Sequence, residues 1–385
     1  MSHQSYDSVV VGSGWAGAVV AERLASAGKK VLVLEKRNHI GGNCWEEHDL
    51  ETGVLYHLYG PHIFHTDNED VFRYLSRFTN WRIYQHRVVA DIDGVQVPIP
   101  FNFNTLHLLF PPSKAGSIEK KLLASYPLES RIPILELRQH SDPEVQELAD
   151  FVYRKVFLNY SAKQWGKRPE EISHAVTGRV PIVLSRDNRY FPDRWQLMPQ
   201  HGFNPVFKQL LFRPGVHVML NTRWQDLLTL DESRGFRLNG QPFSGQVVYT
   251  APIDELFAYD LGELPYRSLR FEYERHPVPQ VQPVAVVNYP NLGDFTRVTE
   301  YKHLSGQTNL SATLLMREYP QDYVRTDAQK DIPYYPVFQS EAQATYAKYA
   351  SRAQSIPNLT LLGRLAEYRY YDQDDVIAAA LGVKL

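Results

Sequence analysis

The sequence predicts an α/β protein: a Rossmann-like nucleotide-binding domain, a small helical domain and an antiparallel β-sheet domain. Three observations carry this. Residues 6–43 run through a short apolar strand, a glycine turn, an apolar helix and a second strand. Residues 142–161 keep apolar side chains at helical spacing behind an Asp-Pro start. Residues 265–320 break into short strand-like runs and turns, with no helical pattern longer than two turns.

The first unit opens with Val9-Val10-Val11, which leads straight into Gly12-Ser-Gly14-Trp-Ala-Gly17. Ala18, Val19, Ala21, Leu24 and Ala25 follow at helical spacing, Gly28 stops the helix, and Val31–Leu34 makes the next strand, ending in Glu35. A short apolar strand before the glycines and a helix after them is the setting a dinucleotide fingerprint requires. Gly12 makes the tight turn, Gly14 lets the backbone approach a pyrophosphate, and Gly17 lets the helix pack on the strand. The pyrophosphate would sit at the helix N-terminus, where free N–H groups and the dipole favour an anion. Glu35 falls at the distance, about 20 residues on, at which an acidic side chain takes a ribose hydroxyl. Arg37 and the pair Gly41-Gly42 come next. That arrangement, E-x-R-x3-GG, resembles FAD-dependent proteins of the amine-oxidase and sugar-mutase type more than NAD dehydrogenases.

Further along, Gly60-Pro61 marks a turn among His57, His62 and His65. No cysteine or carboxylate pair joins them at metal spacing, so the three histidines are not read as a metal site. Asp93-Gly94 separates two short strands in residues 86–99, a type I′ hairpin signal. Asp142-Pro143 is an N-cap with proline at the first helical position, and Val145, Leu148, Val152, Val156 and Tyr160 carry the helix to about Ser161. Gly178 and Pro181 break periodicity between residues 171 and 186, where Arg179 and Arg186 add charge, with Arg189 just beyond. This stretch reads as a mobile loop leading into a strand. Phe203–Leu211 reads as a helix and Asn239-Gly240 as a hairpin turn. Ser340–Ala353 reads as a helix, and Leu359–Arg364 followed by Asp374–Leu381 as a late strand–glycine–helix unit. The expected division is therefore discontinuous. Residues 1–85, 205–255 and 354–385 form the FAD-binding domain, and residues 100–170 the helical domain. Residues 86–99, 171–204 and 256–353 form the antiparallel, substrate-binding part.

Composition narrows the function classes. A net charge of −2 gives no electrostatic case for nucleic acid or an anionic membrane. The single cysteine, Cys44, excludes an internal disulfide and fits a reducing, cytoplasmic setting. No apolar run approaches the ~20 residues of a membrane span.

The motifs GSGWAGAVVAERL, EKRNHIGGN, GPHIFHT, PFNFNT, YSAKQWG, DNRYF, YRSLRFE, YYPV and GRLAEYRYYD occur in this order between residues 12 and 372, within a likeness that runs from residue 6 to 380. Together they resemble the prokaryotic UDP-galactopyranose mutases. The resemblance implies an isomerase that interconverts UDP-galactopyranose and UDP-galactofuranose by ring contraction and needs FAD in the reduced state. In that mechanism flavin N5 attacks the anomeric carbon and displaces UDP. The resemblance places diphosphate-gripping arginines at Arg179 and Arg297 and a third active-site arginine at Arg267. It places phosphate-contacting tyrosines at Tyr190, Tyr335 and Tyr370, and a uridine-binding pair at Tyr160 and Trp165. Asn102 and Asn288 are further substrate positions. Cofactor contacts carry over to Gly12, Gly14, Gly17, Glu35, Arg37, Gly41, Gly42, Asn43, His62, Arg364, Tyr370 and Asp372. His62, beside the flavin's pyrimidine edge, counts with the three arginines as catalytic, and no metal is implied. A reductant (NADPH or another donor) and a homodimer or larger homo-oligomer are also implied. The chain departs from the family at PQHGF, residues 199–203, where histidine replaces one of a glycine pair, and by a one-residue shortening between Asn288 and Arg297. A flavin oxidoreductase of the amine-oxidase type shares the same fingerprint, and a non-catalytic flavin or nucleotide-sugar binder is a third possibility. The arginine and tyrosine set separates the first two, because an amine oxidase needs a cation-accepting cage and not a diphosphate grip.

Overall fold

A computed structural model of the chain describes residues 5–166, 181–328 and 330–385. Arg179 and most of the expected mobile loop lie outside the described residues. Five parallel strands form one sheet, in the order Val216–Met219, Val31–Leu34, Ser8–Val11, Gln246–Tyr249, Leu359–Leu361. Every residue of Ser8–Val11 and Val31–Leu34 is buried. A parallel sheet covered on both faces explains why these strands read as unbroken apolar runs. The two faces feed two separate cores. Val10, Val31 and Val33 belong to one, while Val9, Val11, Leu32 and Leu34 belong to the other.

The chain leaves Ser8–Val11 toward one neighbour, Val31–Leu34, and comes back on the other side as Gln246–Tyr249. Strand order therefore reverses at Ser8–Val11. The crevice beyond the carboxyl ends at such a point is where open α/β sheets take ligands. The fingerprint turn and the helix Trp15–Ser26 stand there. That helix packs against Gln373–Gly382 and Phe203–Leu211. Arg23 Nη1 also donates to the carbonyls of Ala380 and Val383, a cation placed on a helix C-terminus.

A second sheet has seven strands, in the order Tyr335–Pro336, Tyr266–His276, Thr313–Asp322, Arg297–Glu300, Val286–Asn288, Val88–Ile92, Val95–Ile99. It is antiparallel except where Val286–Asn288 runs parallel to Val88–Ile92. The expected antiparallel sheet is thus mixed. The long intervening connection permits a parallel crossover that a hairpin cannot make. Asp93 and Gly94 both take positive φ, 54° and 86°, as a type I′ turn requires.

The Asp142 carboxylate accepts from the backbone N–H groups of Glu144 and Val145, so the predicted cap is made. The helix runs further than its apolar spacing indicates. Pro143–Val152 passes through a π-helical stretch, Tyr153–Leu158, into Asn159–Trp165 and ends at Gly166 with φ 66°. Residues 181–204 correct the expected grouping. Trp195–Pro199 pairs between Phe64–Thr66 and Trp81–Ile83, and Ile182–Val183 pairs with Arg131–Ile132. Neither strand joins the seven-stranded sheet. Short strands carry no sequence signal for their partner, so packing alone assigns them. Among the described residues, no helix is long and apolar enough to cross a membrane.

Candidate functional site

A cavity of about 710 Å³ opens at the reversal point of the parallel sheet. Its wall contains Gly12, Gly14, Glu35, Arg37, Gly41, Gly42 and Asn43. The same wall contains His62, Arg297, Tyr335, Arg364 and Asp372. The fold therefore joins twelve of the sequence-selected residues, spread from position 12 to position 372, in one space.

The fingerprint glycines divide by role. Gly12 has φ +95°, and a Cβ there would lie 2.3 Å from Thr250 Oγ1. At Gly17 a Cβ would lie 2.0 Å from the Gly12 carbonyl oxygen, so this glycine lets the helix seat on the strand and does not face the cavity. Gly14 has an ordinary extended backbone, φ −70° and ψ −172°, and a Cβ would meet nothing nearer than 3.8 Å. Neither strain nor packing asks for glycine there, whereas close approach of a ligand would. Helices Glu69–Leu75, Phe103–Leu109 and Pro143–Val152 receive side-chain caps from Asn68, Asn102 and Asp142. Trp15–Ser26 has no side-chain cap and no acidic residue in its first turn. Its N-terminus is suited to an anion. Glu35 is held by Ser13, whose N–H and hydroxyl both donate to Oε2, and its Oε1 accepts from the Arg37 N–H. Arg37 donates to Asn43 Oδ1 through Nη2, while its Nη1 is buried without a hydrogen-bond partner. An orphaned guanidinium N–H beside an uncapped helix end fits a dinucleotide with its phosphates.

On the other side, Arg297 donates through Nε and Nη2 to Glu318 Oε2 at 3.0 and 2.8 Å. Burial opposes its charge, but the Glu318 carboxylate, with the Tyr160 and Tyr335 phenols adding, offsets that and holds the guanidinium protonated. Asn288 lies directly opposite Arg297 in the strand register, so the shortened connection keeps the two adjacent. Tyr335 and Tyr370 stack at 5.7 Å, Trp165 leans on Tyr335 at 5.9 Å, and the Arg364 guanidinium lies about 5 Å from both tyrosine rings. Arg364 is itself anchored on the carbonyls of Tyr334 and Tyr371. Burial raises the Tyr160 phenol, with the Arg297 cation acting against it. Asp372 is the N-cap of Gln373–Gly382, in a capping box with Asp375.

His62 Nδ1 lies 2.8 Å from the Gly60 carbonyl, which can only accept. The ring hydrogen is therefore on Nδ1 and Nε2 keeps its lone pair. Burial, with the Arg364 and Arg297 cations acting in the same direction, pushes the His62 pKa down to about 3. The imidazole is neutral at physiological pH.

Two selected residues are engaged elsewhere. Asn102 is 2 % exposed; its oxygen caps Phe103–Leu109 through the Thr105 N–H, and its amide donates to Asp187 O and Asn188 Oδ1. It is a structural cap, and its amide has no group left for a substrate. Arg267 gives one N–H from each nitrogen to Asp322 and to the carbonyls of Gln164 and Lys163, gripping the C-terminal end of Asn159–Trp165. It supports the helix that carries Tyr160 and Trp165. Tyr190 packs edge-on against His86 and Phe191. Arg186 and Arg189 form ion pairs with Glu119 and Asp187.

The residues that sequence reasoning missed are mainly partners. Glu318 orients Arg297, and Ser13 fixes Glu35. Lys163 donates to the carbonyls of Tyr289, Leu292 and Phe295, tying the helix of Tyr160 to the turn before Arg297. Lys163 sits inside the YSAKQWG motif, which was the available signal.

Comparison with known proteins completes the picture. Residues 155–370 match the family model described as UDP-galactopyranose mutase, and residues 10–78 that of an NAD(P)-binding Rossmann-like domain. A UDP-galactopyranose mutase of Mycoplasma pneumoniae is 38% identical, over 98% of this chain and 94% of its own length. A dTDP-fucopyranose mutase of Escherichia coli is 32% identical, over 97% and 96%. Among solved structures, a reduced UDP-galactopyranose mutase superposes with TM-score 0.71 at 17% identity, over 98% of this chain and 93% of that one. A putrescine oxidase superposes with TM-score 0.60 at 12% identity, over 97% of each chain, so the fold is shared beyond the mutases. With full-length relatives at 32–38% identity and a family model spanning more than half the sequence, the chain belongs to the UDP-galactopyranose mutase family.

Proposed function

We propose that this protein interconverts UDP-galactopyranose and UDP-galactofuranose, with FAD held in the reduced state. The observation that carries the proposal is the single cavity whose wall holds both the dinucleotide turn and the Arg297, Tyr335 and Arg364 group. FAD would be held by Gly12, Gly14, Glu35, Arg37, Gly41, Gly42 and Asn43, with His62, Arg364, Tyr370 and Asp372 toward its other end. When bound and reduced, FAD would supply a nucleophile, N5, for the anomeric carbon, with UDP as the leaving group. The chain's own task is then to bind, orient and neutralise. A guanidinium fork suits phosphate oxygens, and Arg297, pre-aimed by Glu318, is fixed where charge grows on the departing diphosphate. Arg179 is proposed as its partner, and Tyr190, Tyr335 and Tyr370 as phosphate contacts. Tyr160 and Trp165 are proposed to take the uracil, with Asn288 beside Arg297 as a further contact.

The amine-oxidase reading shares the fold. Arg364, held on two backbone carbonyls in the cavity wall, would oppose a cationic amine, which favours the anionic substrate. The three-part division of the chain, now with residues 181–204 tied to the first 85 residues and the helical part, is likewise a proposal. So are a cytoplasmic location, a homodimer or larger homo-oligomer, and a reductant such as NADPH. The test is direct. Purified protein treated with dithionite should convert UDP-galactofuranose to UDP-galactopyranose on anion-exchange chromatography, and untreated protein should not. Equal turnover without reduction, or none after it, overturns the proposal.

A further inference from the structure

The turn that carries His62 is held by a buried chain of polar contacts, three hydrogen bonds and one histidine–carboxylate pair. The His62 N–H donates to His57 Nδ1 at 2.8 Å. His57 Nε2 lies 3.3 Å from Glu46 Oε1, and both side chains are about 2–3 % exposed. The other carboxylate oxygen, Oε2, accepts from the Phe203 N–H at 2.6 Å and the Asn204 N–H at 3.1 Å, at the start of Phe203–Leu211. Gly202 leaves room for this, since a Cβ there would fall 2.4 Å from Glu46 Oε2. This is the PQHGF stretch in which the chain departs from the family, and its remaining glycine is the one the contact needs.

The chemistry of the chain is one-directional. A backbone N–H only donates, so His57 Nδ1 must keep a lone pair. The ring hydrogen is then on Nε2, facing Glu46. A protonated His57 would point a hydrogen at the His62 N–H. Glu46 is an acceptor at both oxygens, with one oxygen committed to the helix N-terminus. The other can only receive the His57 hydrogen.

We propose that Glu46 is a positioning residue: it selects the His57 tautomer, which pins the Gly60–His62 turn and so fixes His62 in the cavity wall. The role of His62 toward bound FAD rests on the function proposed above; the tautomer does not.

Glu46→Gln tests this in the holoenzyme. The amide oxygen should stay on the two helix N–H groups, turning the NH₂ toward His57. His57 must then accept at Nε2 and carry its hydrogen on Nδ1, against the His62 N–H. In protein labelled with ¹⁵N-histidine, wild-type His57 should show a pyridine-like Nδ1 and a pyrrole-like Nε2, and the variant should show the reverse. Flavin per protein should be unchanged, and kcat should fall roughly tenfold at constant KM, as loss of orientation predicts. In a His57→Asn background, whose amide oxygen accepts from the His62 N–H without a tautomer choice, adding Glu46→Gln should change kcat less than twofold. An unchanged His57 pattern in the variant, or a tenfold loss that persists beside His57→Asn, overturns the proposal. If the variant does not fold, the wild-type spectrum decides, because a pyrrole-like Nδ1 on His57 refutes it alone. Absence of mutase turnover in wild-type protein would count against the function and leave the spectrum to judge the tautomer.

Discussion

Glu318 lies on Thr313–Asp322 at the same parity as Leu314 and Met316, and all three are completely buried. A carboxylate on the core face of a strand is costly unless paired, and Arg297 from the neighbouring strand supplies the pair. The parity was visible in the sequence, but the partner was not, since it lies 21 residues away across a strand pairing. His62 and His86 show the opposite case, neutral groups held neutral. Burial pushes both down to about 3, with the Arg364 and Arg297 cations adding at His62 and Arg297 at His86. Above about pH 6.5 each is uncharged in the folded and unfolded chain alike. As pH falls from there toward 3, the unfolded chain binds protons that the native one refuses, so stability declines across that window and levels off below it. The urea midpoint should therefore drop between about pH 7 and about pH 4, and His62→Gln should make the drop shallower. Equal slopes would mean that His62 titrates normally in the native fold.

At the scale of elements, the strand–turn–helix at residues 8–26 was legible because three signals agreed: apolar run, glycine spacing and helical periodicity. By sequence, Gly12 and Gly17 serve the fold and Gly14 the ligand, and substitution can test these roles apart. Gly17→Ala must force a Cβ against the Gly12 carbonyl, and an overpacked contact of that kind costs about 1–3 kcal/mol. Gly14→Ala meets no such contact. Thermal melts of the flavin-free proteins should show Gly17→Ala clearly destabilised and Gly14→Ala within about 1 kcal/mol of wild type. Flavin absorbance per protein should nonetheless fall in Gly14→Ala. A full flavin load on Gly14→Ala would remove this glycine from the pyrophosphate site. The caps at Asp142 and the hairpins at Asp93-Gly94 and Asn239-Gly240 were legible for the same reason, since each depends on local backbone chemistry alone. The pairings of Ile182–Val183 and Trp195–Pro199 were not, because two-to-five-residue strands have no private code for a partner.

For the whole molecule, the proposed division of labour is that one set of residues anchors the cofactor and a second, from distant segments, grips the diphosphate. Arg179→Ala checks it from the sequence side. Turnover should be abolished while flavin per protein is kept, read by reduced-enzyme assay and absorbance on the same sample; loss of flavin would place Arg179 with the cofactor instead. The sequence by itself determined the α/β class, the dinucleotide turn, the local caps and turns, and through its ordered motifs the family. These are properties of neighbouring residues or of patterns kept along the chain. Only the tertiary structure decided that Gly12, Arg297 and Asp372 share one cavity, that Arg297 is aimed by Glu318, and that Asn102 is spent as a helix cap. It also decided that Arg267 braces a helix and that Glu46 reaches His57. Each of these depends on which segments pack together, and burial drives most buried polar groups to find a partner there. The chain order does not say which partner it will be.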